Sequence, residues 1–488
     1  MVPDSPVAGP PVYNSRELPA PSRRAVARRC ARLALIFAPR VGPRALSQLR
    51  HLHSGKFTTT TLAHPLRVAF ERAGGTFVKF GQIIASSPGL FGDALADEFR
   101  SCLDTGPTVP FDEIRTVIER DLGGPLSDFF VDFSPTPIGQ ASIAVVHRAR
   151  LLNGRDVVVK VLRPGIEQMV AADLDIMEPM MGFVTRQTGA QLAAAAWQQI
   201  DGLRQQIGEE LDLRNEARAL DHFRDLTARS SLNLIAVPEP FPEFSSQNIL
   251  TMEFLDGFAI DDFSQAQGLG IDPAPLIDQL IRGFFTMTVQ WGTFHGDAHA
   301  GNLMLLRDGR IGVIDWGIVG RLDAATHRFF VRMLQAVLGE EAAWMDVTQH
   351  LLDNYGPALR EAMGMTDEQM AQFLRAMIEP ILLRPFGEIS FADMMTMTQV
   401  HVGEANGVSF QQRGWRAMFQ RLRLQRKIQR MAEDGGGLMN SFDRGNFLLG
   451  KQLMYFERYG RMYLSDRSIL ADRPFLESLL RDAEPLTA

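Results

Sequence analysis

From Leu66 to Leu122 apolar residues recur at helical spacing, Phe77, Phe80 and Ile84 in one stretch and Leu95, Phe99 and Leu103 in the next, with an interruption near Pro88 and Gly89. That spacing predicts two or three helices. At Ile143 the pattern turns to β-branched residues: Ile143, Val145 and Val146, an Asn153-Gly154 turn, then Val157, Val158, Val159 and Val161, which together predict a hairpin. Residues 190–226 return to helical periodicity, and Asn248 to Phe254 reads as a strand beside the turn-like Asp256-Gly257. A long apolar helix is predicted after Pro275, ending near Trp291. Leu303 to Leu306, Asp308-Gly309 and Ile311 to Ile314 predict a second hairpin. Beyond Asp323 the pattern is helical to the end, broken by Pro385 and by Gly435, Gly436 and Gly437, and no internal repeat is visible. This order of elements predicts an α+β fold with a two-lobed core and helical additions at both ends.

Composition narrows the function classes. A chain of 488 residues makes roughly three folding units, and its 45% hydrophobic residues supply real cores. Lys plus Arg number 50 against 57 Asp plus Glu, a net charge of -7, which argues against a nucleic-acid-coating protein. With only Cys30 and Cys102, a disulfide scaffold or a multi-cysteine zinc module is excluded, and a reduced, cytoplasmic protein is expected. No apolar run reaches the roughly 18 residues of a spanning helix, so membrane contact would be peripheral. Two basic elements leave such contact open beside a plainer reading, for the first a solvated N-terminal extension. Residues 1–50 hold nine Arg against Asp4 and Glu17 and read as a loose basic arm leading into a helix, and Arg413 to Arg430 carries seven cations among Trp415, Phe419, Leu422 and Ile428. The second element predicts weak, salt-sensitive binding to anionic lipid, or else a helix packed on an acidic neighbour.

The chemistry gathers around the second hairpin. Pairing it across a two-residue loop at Asp308 and Gly309 sets Arg307 opposite Arg310, Leu305 opposite Gly312 and Asn302 opposite Asp315. An amide oxygen and a carboxylate would then meet at its open end, about 5 Å apart at Cβ, a pair suited to a hard cation such as Mg²⁺. Asp297 stands five residues before Asn302 in His295-Gly-Asp-Ala-His-Ala-Gly-Asn302. A carboxylate that orients a nucleophile, an Asn that holds metal and a second metal-binding Asp are what phosphoryl transfer requires, and their order and spacing match a protein-kinase catalytic loop and its metal-binding Asp. His295 and His299 as zinc ligands are disfavoured, because no HExxH is present and Gly296 and Gly301 oppose a helix. Lys160 in Val-Val-Val-Lys offers a cation for nucleotide phosphates. Gly139-Gln140-Ala141-Ser142 sits where a glycine-rich loop would, without GxGxxG, and Walker A fails because Arg50 occupies its first Gly position ahead of Gly55-Lys56.

From Leu66 to Asp323 the sequence resembles the UbiB-like atypical kinases, also called the ubiquinone-biosynthesis or AarF-type protein-kinase-like family. Lys79-Phe-Gly-Gln82 matches its K-x-G-Q motif, and Gly139-Gln140-Ala141-Ser142 its alanine-rich replacement for the glycine loop. Glu210-Leu-Asp212 with Glu216 resembles its E-x-D and following E-A motif, His295 to Asn302 its H-G-D-x-H-x-G-N, and Asp315-Trp-Gly317 its D-F-G. Ala298, Ala300 and Trp316 depart from the usual Pro, Pro and Phe.

The resemblance implies a two-lobed protein-kinase-like core with N-terminal and C-terminal helical extensions. The expected layout is a basic arm and helix over 1–65, a K-x-G-Q helical extension over 66–134, an N-lobe over 135–255, a C-lobe over 256–340 and a helical region over 341–488. It implies ATP and Mg²⁺ as ligands, with Lys160 on the phosphates and paired to Glu216, Asn302 and Asp315 on the metal, and Asp297 orienting an acceptor hydroxyl or water. Gly139, Gln140, Ala141, Ser142 and Glu253 would complete the nucleotide site. Glu210 or Asp212 would face the K-x-G-Q segment, where Lys79 and Gln82 regulate the cleft. The expected activity is that of an atypical kinase or ATPase supporting isoprenoid quinone or lipid metabolism, with isoprenoid lipids or quinone-pathway proteins as partners. Two alternatives stand beside it. One is a nucleotide-dependent scaffold for lipid-modifying partners. The other is a small-molecule phosphotransferase, against which Lys79-Phe-Gly-Gln82 argues.

Overall fold

The computed structural model describes residues 13–51, 60–86, 95, 98–99, 108–188, 203–230, 232–388, 444–468, 472–481 and 483. In chain order, α1 (Arg23–His51), α2 (Thr60–Ala73), α3 (Gly75–Ser86) and α4 (Phe111–Leu122) precede β1 (Phe130–Gln140), β2 (Ala144–Leu151) and β3 (Asp156–Leu162). Then come α5 (Ile166–Thr188), α6 (Leu213–Arg229), β4 (Ile235–Ala236), β5 (Ile249–Glu253), β6 (Gly257–Ala259), α7 (Phe263–Gly268) and α8 (Pro273–Trp291). Strands β7 (Thr293–His295), β8 (Leu303–Leu306), β9 (Ile311–Val313) and β10 (Val319–Arg321) follow, and α9 (Ala324–Val337), α10 (Glu341–Met363), α11 (Asp367–Leu383), α12 (Arg444–Tyr463) and α13 (Arg473–Arg481) close the chain. The fold is thus α+β. These residues divide into two compact units, one drawn from 11–221 and 238–255, the other from 222–237 and 256–488.

The first unit is built on a four-stranded antiparallel sheet of order β1-β2-β3-β5. Helix α4 covers one face. Its Ile114, Val117 and Ile118 recur at helical spacing and pack on Phe130, Val145, Ala149, Leu151, Val157, Val159, Val161 and Ile249. Asp112 and Glu113 lie in its first turn and Arg120 in its last, complementing the helix dipole, and Gly123 ends it in the left-handed region at φ 80°. Because side chains alternate along a strand, sending Val157, Val159 and Val161 to this core sends Lys160 to the opposite face. Strand β1 was not anticipated, since Pro135 and Pro137 argue against a strand. It survives as an edge strand, where a missing N–H costs no ladder bond, and its register shifts at Pro137.

Both hairpins form, with loops one residue longer than expected. Leu306 N–H bonds the Arg310 carbonyl at 2.8 Å and Gly309 N–H the Leu306 carbonyl at 3.0 Å, while Gly309 sits at φ 86°. The first hairpin repeats the same closure, with Leu151 to Arg155 at 2.9 Å, Gly154 to Leu151 at 2.9 Å and Gly154 at φ 86°. In each, a turn ends on a left-handed glycine, and the Asn153 or Asp308 side chain accepts the amide two residues on. The consequence for register is a one-residue correction. Leu303 pairs with Val313, Met304 with Gly312 and Leu305 with Ile311, so Asn302 receives the Ile314 amide at 3.0 Å and Asp315 lies one residue past the position opposite it.

In the second unit this hairpin is the centre of a sheet of order β4-β9-β8-β6, with β4 parallel to β9, and β7 pairs antiparallel with β10. Helix α8 starts on the Asp272 side chain, which accepts the Ala274 amide at 3.0 Å, and stops at Gly292. Its buried face includes Leu276, Leu280, Phe284 and Met287. Gly320 on β10 lies over the Phe294 ring so closely that a Cβ there would fall 2.2 Å from it. The expected break at Pro385 falls directly after α11, where a short 3-10 turn begins. Gly435 to Gly437 and the basic element Arg413 to Arg430 lie outside the described residues, as do residues 190–202 of the helical pattern expected from 190. Among the described residues no helix is long and apolar enough to cross a membrane.

Candidate active site

In the first unit the interior strand β3 presents Lys160 to the first turn of α6. Its ammonium lies 3.0 and 2.8 Å from the two carboxylate oxygens of Glu216, and both residues are buried. A buried lysine needs such a partner to remain charged. Gly139 and Gln140 end β1, paired with Val146 and Val145. The chain then turns tightly, Ala141 N–H bonding the Ala144 carbonyl at 3.0 Å, and Arg163 Nε holds the Ala141 carbonyl at 3.0 Å. Ser142 is buried in that turn. Glu253 stands apart. It pairs with Val157 where Lys160 pairs with Leu250, and its carboxylate accepts the Glu239 amide at 3.2 Å.

On α3 of the same unit Lys79 meets Glu210 at 2.9 Å, with both side chains nearly buried. Of the two acids expected to face the K-x-G-Q segment, Glu210 is the one that does. Asp212 instead receives Arg214 through two guanidinium bonds at 2.8 and 2.7 Å. Gln82 is half-buried. Sequence reasoning missed a strap across this loop. Asn14 and Asn215 exchange reciprocal hydrogen bonds at 2.9 and 2.8 Å, Arg16 N–H bonds the Gly208 carbonyl at 2.9 Å, and the Arg16 guanidinium reaches the Leu211 carbonyl and Asn248. The N-terminal arm is therefore not loose at 14–16. Nor is its charge all at the surface, because Arg29 is buried against Asp173 at 2.5 Å.

In the second unit, β7 leads into the loop His295 to Asn302, and β9 leads into Asp315-Trp316-Gly317. Gly296 is needed where it stands, since a Cβ would fall 2.9 Å from the Ile318 side chain. His295 ties the two loops together. Its Nε2 donates to the Asp315 carbonyl at 2.5 Å and its Nδ1 accepts the Asp297 amide at 3.1 Å, an assignment that requires the neutral ring. Burial pushes the imidazole pKa down, in keeping with that form. Asn302 donates its amide group to the Asp297 carbonyl at 3.0 Å, and Asp315 Oδ1 accepts the Gly317 amide at 3.0 Å. Trp316, in place of the usual Phe, is buried against Phe223 and His295 with centroids 4.2 and 4.6 Å away, and its indole donates to the Val313 carbonyl at 2.8 Å.

In chemical type an amide oxygen and carboxylates are the hard donors that Mg²⁺ takes, a cation that uses few protein ligands and keeps several waters. Zinc finds no such support. Both His295 nitrogens are engaged within the protein. Helix α12 adds groups that sequence reasoning did not connect with this loop. Lys451 Nζ lies 2.8 Å from Asp297 Oδ1, and the Tyr455 hydroxyl 3.4 Å from the same oxygen. Burial, then the Asp297 charge, pushes the Tyr455 pKa far up, so this phenol stays a neutral donor. Gln452 and Tyr459 hold the Ala298 amide and carbonyl at 3.1 and 3.0 Å.

A strand lysine closed by a helix glutamate in one unit, and in the other an Asp-x4-Asn loop followed by a hairpin and Asp-x-Gly, is the arrangement of the protein-kinase-like class. Within that class the comparisons are specific. The model of the ABC1 atypical kinase-like domain matches residues 101–347. An uncharacterized chloroplastic aarF domain-containing protein kinase of Arabidopsis thaliana is 34% identical over 413 residues, covering 84% of this chain and 73% of that one. A probable protein kinase UbiB of Marinobacter nauticus is 32% identical over 335 residues, 68% of this chain and 60% of that one. The chain belongs to the ABC1 atypical kinase-like family, and it spans 60 to 73% of the length of these two relatives. Among solved structures, the Mycobacterium tuberculosis protein Rv3197 with erythromycin aligns at TM-score 0.41 and 19% identity, covering 80% of this chain and 91% of that one.

Proposed function

We propose that this protein is a Mg²⁺-dependent ATP-binding kinase or ATPase that serves isoprenoid quinone or lipid metabolism. The observation that carries the reading is the His295 bridge, which fixes Asp297 and Asp315 to one ring while Asn302 is fixed to the Asp297 backbone. Three groups with separate duties are thereby held in one preorganised loop pair, as electrostatic catalysis requires. Lys160, held by Glu216, would contact the α and β phosphates, and the turn at Gly139 to Ser142 would stand in for a glycine loop. Asn302 and Asp315 would hold Mg²⁺, which when bound neutralises phosphate charge. Asp297 orients the acceptor hydroxyl or water and takes its proton. The quinone or lipid role rests on the family resemblance together with relatives named UbiB.

The test is a calorimetric titration of MgATP joined to an ATP hydrolysis assay with and without lipid vesicles. Asp315→Asn should weaken MgATP binding strongly, while Asp297→Asn should leave binding nearly intact and depress turnover, since an acceptor-orienting group acts mainly in the transition state. Equal binding by folded wild type and Asp315→Asn would refute the metal assignment. Turnover unchanged in Asp297→Asn would favour a nucleotide-dependent scaffold.

A further inference from the structure

The loop from His295 to Asn302 contains no Lys or Arg. Phosphoryl transfer nevertheless spreads negative charge over three equatorial oxygens, and a cation close to them stabilises the transition state. Among the described residues, a cation that reaches Asp297 comes from α12. Lys451 Nζ stands 2.8 Å from Asp297 Oδ1, with the lysine side chain 13% and the aspartate 11% exposed. Docking of α12 does not need this charge. Gln452 and Tyr459 already clasp both polar groups of the Ala298 backbone, Phe456 packs on Phe284 at 4.9 Å, and the Tyr463 hydroxyl reaches the Ile260 carbonyl at 2.9 Å. A lysine withdrawn from water at a position where packing would suffice points to work for its charge.

We infer that Lys451 is a catalytic cation, holding Asp297 in place and meeting the transferring phosphoryl group of ATP. The inference rests on the phosphotransfer reading above. In the step, the acceptor oxygen bonds to the γ-phosphorus as its proton passes to Asp297, the bond from that phosphorus to the β–γ bridging oxygen breaks, and ADP leaves with its electron pair. An ammonium already fixed beside Asp297 answers the developing charge without reorganising.

The experiment compares wild type, Lys451→Met and Lys451→Arg as full chains, reading ATP and ADP affinities by calorimetry with Mg²⁺ and ATP turnover in parallel. Lys451→Met should lose about 10- to 100-fold in turnover, bind ATP about three- to tenfold more weakly, and bind ADP as wild type does. Lys451→Arg should recover most of both losses. If ATP and ADP weaken equally, or if Arg is no better than Met, Lys451 is a brace for α12 and the inference falls. Should Lys451→Met unfold, Lys451→Gln takes its place. The affinity ratio separates this failure from that of the parent reading. A wild type that binds no MgATP overturns both, whereas a wild type that binds it with a ratio indifferent to Lys451 overturns the cation alone.

Discussion

The Lys160–Glu216 pair allows stability and function to be separated by one set of variants. At 2.8 Å and an effective dielectric of about 20, two unit charges attract by about 6 kcal/mol before desolvation is counted. Both side chains are largely withdrawn from water, 11% and 3% exposed, so much of that attraction offsets their dehydration. Removing one partner leaves the other charge dehydrated without it. Lys160→Met or Glu216→Gln should each destabilise the first unit by about 3–5 kcal/mol, whereas the double variant should return to within about 1 kcal/mol of wild type. Because the chain has two units, the assay is local: amide hydrogen exchange across β2, β3 and β5 in rising urea, which reads the opening of that sheet. MgATP titration on the same samples should show the opposite pattern. The double variant regains its fold and not its nucleotide, since the phosphates have lost Lys160. Additive losses in the single and double variants would refute the coupled pair. Restored MgATP affinity in the double variant would remove Lys160 from the phosphate site.

The Lys79 contact with Glu210 should make Lys79→Ala change the ATP to ADP affinity ratio, and calorimetry showing neither ratio nor magnitude altered would sink that role. Burial lowers the pKa of His147, His295 and His327, and of His222 to about 4 from 6.5. The native state thus refuses protons that the unfolded chain accepts, so stability is full above about pH 6.5 and falls as pH drops toward 4, with His222 contributing about 2 kcal/mol after allowance for its partial exposure. Urea midpoints at pH 7.5, 6 and 5 that coincide would contradict this. Gly320→Ala, whose methyl would fall 2.2 Å from the Phe294 ring, should cost about 1–3 kcal/mol. Differential scanning calorimetry should show the loss, and Phe294→Leu should relieve part of it.

Where periodicity and turn chemistry agreed, the fold was legible. The valine run of β3, the helix after Asp272 and both Asn/Asp-Gly hairpins sit close to where their patterns put them. The hairpin register was not legible to one residue, because the same dipeptide closes two- and three-residue loops and its glycine takes a positive φ in both. Strand β1 was hidden by Pro135 and Pro137, which forbid an interior strand and permit an edge one. The family resemblance implied the pairing of Lys160 with Glu216 and left Glu210 or Asp212 open as the acid facing Lys79, a choice that falls on Glu210, and the Glu253 carboxylate accepts the Glu239 amide. What carried no signal was contact between distant segments. Asn14 and Asn215 are 201 residues apart, and neither they nor Lys451 lie in a periodic run that marks them as partners of a motif. The lipid-binding expectation for Arg413 to Arg430 lies outside the described residues.

The family match ends at residue 347, yet the Ala298 peptide groups of the His295–Asn302 loop are clasped by Gln452 and Tyr459, about a hundred positions later. A fragment trimmed at that boundary would retain every motif residue from Lys160 to Asp315 and lose the side chains that keep the loop's backbone in shape. Its inactivity would say nothing about the chemistry of the motifs. An assay of this protein's isolated kinase-like domain therefore needs the C-terminal helix restored, in the same chain or added as a peptide, before silence is read as absence of activity.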